Sequence, residues 1–184
     1  MHRKLYLETE RLHLYRPIDE DYEFLSQNLR DPRMTAHLGG NMPEAQIKNM
    51  VMRTRKQWND HGFGTCAIFL KEKMQQIGNA GAKFWPPDTK DAVDIGFGIT
   101  PEYQGQGFAF EAALAIAADC FNHHQFPALT CHTSIHNVAA LKLIKKLGFI
   151  QIKVVDVVAD GATYKDVAFF ELPRGNFLKM HGPK

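Results

Sequence analysis

The sequence holds three cysteines, Cys66, Cys120 and Cys131, and no two of them form a CxxC pair. Odd in number and widely spaced, they support neither a zinc knuckle nor a disulfide scaffold. They read as reduced thiols of a cytoplasmic protein that needs no metal. A long apolar run is also missing. The small apolar stretch Ala112 to Ala118 stops at Asp119 and is too short to cross a bilayer. The start, Met1 to Glu8, has no apolar core before its charges resume, so neither a secretory leader nor a membrane partner is expected. An excess of charge of either sign is lacking: Lys+Arg 22 against Asp+Glu 20 gives +2 with histidine neutral, and a pI of 8.4. That balance excludes a highly charged disordered chain and gives no reason to expect direct nucleic acid binding. There is no internal repeat, low-complexity segment or linker. The 184 residues, 45% hydrophobic and 23% charged, are therefore expected to form a single domain over 1–184.

What is present is an alternation of strand and helix patterns. Leu5-Tyr6-Leu7 and Leu12-His13-Leu14-Tyr15 alternate apolar and polar positions as strands do. Asp19 reads as the N-cap of a helix that Asp31-Pro32 ends, and Gly39-Gly40-Asn41 reads as a loop. A second helix is expected from Pro43 towards Trp58, with Gly62 past its end. Thr65–Leu70 and Ile77–Phe84 form a hairpin with Lys71-Glu72-Lys73 at its tip, and Pro86-Pro87-Asp88 breaks the chain. A strand at Val93–Ile99 leads to an apolar helix at Phe108–Phe121. A strand at Leu129–Ile135 leads to a helix at Val138–Leu147 that Gly148 ends. Two closing strands, Ile150–Val158 and Thr163–Leu172, flank a turn at Asp160-Gly161. Strands on both sides of a strand–helix–strand–helix segment imply an α/β fold with a mixed sheet.

The most informative stretch runs from Asp94 to Ala109. Gly96 and Gly98 weaken a strand, so either a bulge or a group lying against the backbone is expected there. After Pro101 the chain enters a loop with Gly105 and Gly107 that opens directly into an apolar helix. Glycine lets successive N–H groups turn towards one point at a helix N-terminus, which suits a phosphate. The common nucleotide loops do not match. A Walker A loop needs Lys-Ser/Thr where Phe108-Ala109 stands, and a dinucleotide fingerprint needs glycine where Phe110 stands. A Gly-rich connection without a ligand remains the alternative at this point.

Gln104-Gly105-Gln106-Gly107-Phe108-Ala109 fits the Gln/Arg-x-x-Gly-x-Gly/Ala signature of the GCN5-related N-acetyltransferases (GNAT). The longer run from Pro101 to Ala109 with Glu111-Ala112 resembles the ribosomal-protein N-acetyltransferase branch. So do Asn137 followed by Leu147-Gly148-Phe149, the opening Leu7-Glu8-Thr9-Glu10-Arg11-Leu12, and the tail Gly161…Asp166-Val167. The resemblance implies an α/β (α+β) fold with a mixed, mostly antiparallel sheet of about seven strands and about four helices. It implies acetyl-CoA as co-substrate, with the pyrophosphate on the amides of Gln104, Gly105, Gln106, Gly107, Phe108 and Ala109. The pantetheine would run along the strand through Phe97 to Ile99, and Asn137 would hydrogen-bond the cofactor, a role compatible with capping its own helix. The acceptor would be the N-terminal α-amine of a ribosomal or other protein, or a small amine such as an amino sugar, polyamine or antibiotic. The protein would act as a monomer or homodimer.

Acyl transfer needs a neutral amine, donors for the developing oxyanion, and a way for the thiolate to leave. A backbone N–H near Phe97 to Ile99 can serve the oxyanion. The acid is missing, because Ile144 and Ala140 stand where relatives of this type carry Tyr and Ser. That departure keeps open an acyl-CoA-binding sensor or inactive relative. Asp94 is the candidate base, at a position where relatives carry glutamate, with a solvated strand-end carboxylate as the plain alternative. His132 and His136 flank the end of the next strand and read first as structural or exposed. Glu111 and His123-His124 read as compensation of the helix dipole, and Lys142, Lys145 and Lys146 as surface charge within reach of a 3′-phosphate. The run Glu20, Asp21, Glu23 would suit a polyamine if it lined a groove.

Overall fold

Alternation near the N-terminus folds as β1 (Leu5–Glu8) and β2 (Leu12–Tyr15), an antiparallel pair in which Leu12 and Leu14 are fully buried. The computed structural model describes residues 3–37, 40, 42–85, 92–159 and 162–182. The expected breaks at Gly39-Gly40-Asn41, Pro86-Pro87-Asp88 and Asp160-Gly161 lie wholly or partly outside the described residues. Helix α1 (Asp19–Arg30) starts one residue earlier than a cap at Asp19 would allow. Ile18 occupies the cap position, and the Asp21 carboxylate accepts its N–H at 3.0 Å. Asp31 then caps a four-residue helix, α2 (Pro32–Thr35), by accepting the Arg33 N–H. Helix α3 (Glu44–His61) ends at Gly62.

The hairpin of β3 (Thr65–Leu70) and β4 (Gln75–Trp85) continues the sheet, and β5 (Ala92–Ile99) pairs with β4 along its whole length. That pairing has no register shift, so the two glycines of β5 do not mark a bulge. Gly96 has open space where a Cβ would project, and a Cβ added at Gly98 would meet the Met34 methyl at 3.4 Å. A single 3₁₀ turn (Pro101–Tyr103) leads to α4 (Phe108–Asn122), which packs on β4 and β5 through Ala112, Ala113, Ile116 and Ala117. Small side chains on that face let the helix lie close to the sheet, and the apolar area they bury contributes about 25 cal/mol per Å².

Strand β6 (Ala128–Ser134) follows, then α5 (Val138–Leu147), β7 (Ile150–Ala159) and β8 (Ala162–Pro173). The sheet order is β1-β2-β3-β4-β5-β6-β8-β7, antiparallel throughout except for the β5–β6 pair. The described residues thus form one mixed sheet of eight strands with six α-helices, against the seven and four expected. The additions are α2 and a terminal helix, α6 (Arg174–His181), which seats Phe177 against Phe121 with ring centroids 5.0 Å apart. At the far end of α4, buried Asp119 joins Tyr6, His123 and His124 in one polar cluster. Burial first, then the Asp119 hydrogen bond, pushes the Tyr6 hydroxyl well above its ordinary pKa. His124, 3.2 Å from the Tyr6 hydroxyl, thus helps tie β1 to the end of α4, while His123 pairs with Asp119 one turn before it.

Candidate active site

The sheet has one split. Parallel strands β5 and β6 bridge only at Asp94 and Thr130. Beyond that point β6 stays paired with β8 as far as Ser134, while β5 follows β4 to Ile99. The Thr100 N–H donates to Ile77 O on β4, so the alternating Ile99 and Phe97 backbone groups face the other way, into the split. The N–H groups of Phe97 and Ile99 thus border an open edge, and the exposed Gly96 leaves it unobstructed.

At the end of that edge lies the glycine loop. Gly105 and Gly107 sit at φ +75° and +85°, a region L side chains rarely adopt, and Gly107 is the N-cap of α4. Among the described residues, no acceptor lies on the six consecutive amides from Gly105 to Phe110. The next N–H, that of Glu111, is the first to find the helix, at Gly107 O. Six unanswered donors at a helix N-terminus, on an exposed loop, have the geometry to receive an anion on the backbone. Gln104 stands apart from them. Its N–H reaches Pro101 O at 3.3 Å, and its side-chain amide donates to Ile99 O at 2.8 Å, pinning the loop to the end of β5.

A second brace comes from the β1–β2 turn. Glu111 accepts from Thr9 Oγ1 at 2.6 Å, from the Arg11 N–H at 2.8 Å and from the Arg11 guanidinium at 2.7 Å. Burial alone would raise its carboxyl pKa, but these hydrogen bonds hold it below the ordinary value. Arg11 also donates to Gln106 O at 3.1 Å and stacks over the Phe108 ring, so a fixed cation stands beside the loop. Glu111 is therefore a clamp, not only a dipole partner. Sequence reading quotes Arg11 only within the opening Leu7–Leu12 motif and gives it no role, because its partner Glu111 stands 100 residues away.

Beside the split opens a cavity of about 820 Å³, lined by α3, the ends of β4 and β6, and β7–β8. His132 stands in its wall, two residues beyond the last β5–β6 pairing. Its ring stacks on Trp85 and Phe169, with centroids 5.0 and 5.6 Å away. Behind it Asp94 is only 3% exposed, with Oδ1 3.0 Å from His132 Nδ1 and within reach of the Thr130 hydroxyl at 3.2 Å. Asp94 is thus a buried partner of His132 and not a solvated strand-end carboxylate. A carboxylate only accepts, so the Nδ1 proton points at Asp94, and Nε2 is the lone pair the neutral ring offers.

The other sequence candidates divide clearly. Phe97 and Ile99 border the split, and Asn137 stands at the start of α5, three residues after β6 ends. There the Asn137 side-chain oxygen caps the helix by accepting the Ala140 N–H at 3.1 Å. Its side-chain N–H₂ has no partner among the described residues. His136 is exposed, 3.9 Å from Asp166. Lys146 lies over the Phe110 ring, one turn into α4, while Lys142 and Lys145 are exposed on α5. Ile144 is fully buried in the core and Ala140 carries no donor, so neither supplies an acid. Asp21 is buried against Arg3, and none of Glu20, Asp21 and Glu23 lines the cavity.

The model of a family described as acetyltransferase (GNAT) domain matches residues 11–150. YkkB of Bacillus subtilis (strain 168), an uncharacterized protein, is 26% identical over 151 residues, covering 80% of this chain and 87% of its own. Solved structures show the same fold at low identity. The spermidine N-acetyltransferase of Vibrio cholerae, in complex with CoA and spermine, aligns at TM-score 0.75 and 16% identity over 92% of this chain and 99% of its own. RimL, a ribosomal L7/L12 α-N-protein acetyltransferase, aligns at TM-score 0.75 and 15% identity over 94% and 96%.

Proposed function

Because the chain belongs to the acetyltransferase (GNAT) domain family, we propose that it is an N-acetyltransferase that transfers acetyl from acetyl-CoA to the N-terminal α-amine of a protein or peptide. The observation that carries this reading is the row of six unanswered amides, Gly105 to Phe110, continuous with the open edge of β5 and ending beside His132. Acetyl-CoA fits those residues. The amides, with Arg11 alongside, would hold its pyrophosphate. Gly96 to Ile99 would border the pantetheine, and the Asn137 side-chain N–H₂ would donate from the start of α5. Bound there, the thioester supplies an activated acyl carbon and a thiolate leaving group.

The chain's own residues supply the rest. His132 Nε2 takes a proton from the acceptor ammonium, and Asp94 holds the ring's tautomer and stabilises the imidazolium that results. The freed amine attacks the acyl carbon while the Phe97 or Ile99 N–H donates to the oxygen that gains charge. The C–S bond then breaks, and the surplus proton on the attacking nitrogen passes to the thiolate that leaves. A thiol of ordinary pKa about 8.5 departs near neutral pH with little help from an acid, which accommodates Ile144 and Ala140. An α-amine, with pKa about 7.7–8.0, asks far less of such a base than a lysine at about 10.4.

A ribosomal protein as the source of that α-amine rests on the motif resemblance from Pro101 to Ala109 and at Leu147-Gly148-Phe149. The cavity of about 820 Å³ also has the size of small-molecule sites, which favours a small amine as the second reading. Incubation with acetyl-CoA and a panel of peptides, spermidine and amino sugars tests the proposal. The expected result is acetyl-CoA-stabilised protein and acceptor-dependent CoA release, with the acetyl group on a peptide α-nitrogen. Stabilisation without transfer to any acceptor would mark an acyl-CoA sensor instead.

A further inference from the structure

His132 is tethered to Asp94 at one atom, and a single hydrogen bond does not fix a ring. The outer torsion of a histidine has broad wells, so the imidazole can tilt about its Nδ1 contact and swing Nε2 out of line. Two aromatic rings stand in the way of that tilt. Phe169 is the direct cross-strand partner of His132 on β8, and Lys153 is in turn the partner of Phe169 on β7. The row crosses three strands, with Lys153 Nζ 5.1 Å from the Phe169 centroid on the side away from His132. Trp85 comes from the other direction, on β4, with Lys83 Nζ 5.3 Å from its centroid. Its cross-strand partner on β5 is Ala92, whose single methyl leaves the indole room to lean across β5 to His132. The two rings lie within 29° and 23° of the imidazole plane. Both are half-buried, and neither belongs to the hydrophobic core of the sheet. Rings of that size outside the core, aligned on one imidazole, serve its direction more than they serve folding.

Resting on the proposed role of His132 in acetyl transfer, we infer that Trp85 and Phe169 are positioning residues for that transfer: they hold the His132 ring between them, so that Nε2 keeps its aim at the acceptor amine. Asp94 sets which nitrogen carries the proton, and the two aromatic rings set the plane in which the other nitrogen points. Neither ring has to touch the substrate. Orientation is settled when the sheet forms, so each turnover is spared the cost of ordering the base.

Steady-state kinetics near neutral pH on Trp85→Leu, Trp85→Phe, Phe169→Leu, His132→Gln and the combined Trp85→Leu/His132→Gln variant tests this. Trp85→Leu and Phe169→Leu are each expected to lower kcat about tenfold, with KM for acetyl-CoA and for the acceptor changed by no more than about twofold. Trp85→Phe keeps a stacking ring and is expected to stay within about threefold of the parent. In the His132→Gln background, Trp85→Leu is expected to change the residual kcat by less than about twofold, because a residue that acts through the imidazole has nothing left to act on. Proton NMR of the free protein reads the stack without turnover: the His132 ring signals are expected upfield of ordinary histidine, and they should move back in Trp85→Leu. An equal loss with and without His132, or a loss carried by the acceptor KM, would overturn the inference, since the indole would then pack or bind substrate. Parental kcat in Trp85→Leu, or a loss in Trp85→Phe as large as in Trp85→Leu, would overturn it too. Parental kcat in His132→Gln would instead overturn the proposed base, on which the inference rests.

Discussion

Replacing Asp94 by Asn keeps the shape of the buried side chain and removes its charge. The contact at stake is the 3.0 Å pairing of Asp94 Oδ1 with His132 Nδ1. In the proposed transfer it matters most after the ring has taken the ammonium proton, when imidazolium faces carboxylate in a site where Asp94 is 3% exposed. A hydrogen bond to a charged group is worth about 1.5–3 kcal/mol, and at about 1.36 kcal/mol per decade its loss lowers kcat/KM about 10- to 150-fold at pH 7. The loss should not be constant with pH. Above the ordinary α-amine range of about 7.7–8.0 the acceptor arrives neutral, little proton removal is needed before attack, and the variant should approach the parent within a few-fold by about pH 9. Thiol release measured from pH 6 to 9 against one peptide gives both profiles. Acetyl-CoA affinity, read separately by calorimetry, should change by no more than about twofold, since the loop amides lie apart from Asp94. Superimposable profiles for the parent and the Asp94→Asn variant would refute the pairing as a base, and a uniform loss at all pH values would mark a packing defect.

Three further outcomes follow from the loop, its clamp and the buried thiols. Gly107→Ala places a Cβ at φ +85°, which costs about 1–2 kcal/mol and so lowers Tm by about 2–8 °C, and acetyl-CoA affinity should fall at least tenfold because the amides turn away; unchanged affinity would remove the loop from the site. Glu111→Gln should cost about 1–2 kcal/mol at neutral pH through the weakened bonds to Thr9 and Arg11. The native carboxyl titrates below its unfolded value, so its contribution is present above about pH 5 and fades as pH falls through the native value. The gap between parent and variant in denaturant melts should close towards about pH 3, and a gap independent of pH would contradict the clamp. Burial, then the neighbouring Asp119 charge, pushes the Cys120 thiol up to about 12, while burial holds Cys66 and Cys131 well above their ordinary value. Native protein should therefore give no fast reaction with a thiol reagent, and three equivalents should react after denaturation; a fast native thiol would show a packing error around β3, α4 or β6.

Much of this architecture is legible from local signals. The bounds of β3 and α5 coincide with the expected ones because their punctuation is chemical: Asn137 caps α5 and Gly148, at φ +96°, ends it. The loop at Gly105 and Gly107 declares itself for the same reason, since only glycine takes those angles without strain. What stayed hidden depends on distance along the chain. Asp94 and His132 lie 38 residues apart and meet only because β5 and β6 are neighbours. Arg11 reaches the loop only because β2 and the start of α4 share one corner of the fold. Asp19 looked like a cap because its residue type fits, yet Asp21 takes that work from inside the helix. Helix α6 gave no signal, as Phe177 is its one buried anchor and a single apolar residue has no period. Gly96 and Gly98 pointed to a bulge or to a group lying against the backbone; the bulge is absent, and Gly96 leaves open space on β5.

The central claim is that backbone amides hold the cofactor's phosphates, and amide resonances report on them directly. In a titration of isotope-labelled protein with CoA, the largest shifts are expected at the N–H signals of Gly105 to Phe110, followed by those of Phe97, Ile99 and the Asn137 side chain. Shifts concentrated in the cavity around Arg53, Lys83 and Lys165, with the Gly105–Phe110 amides unmoved, would contradict it.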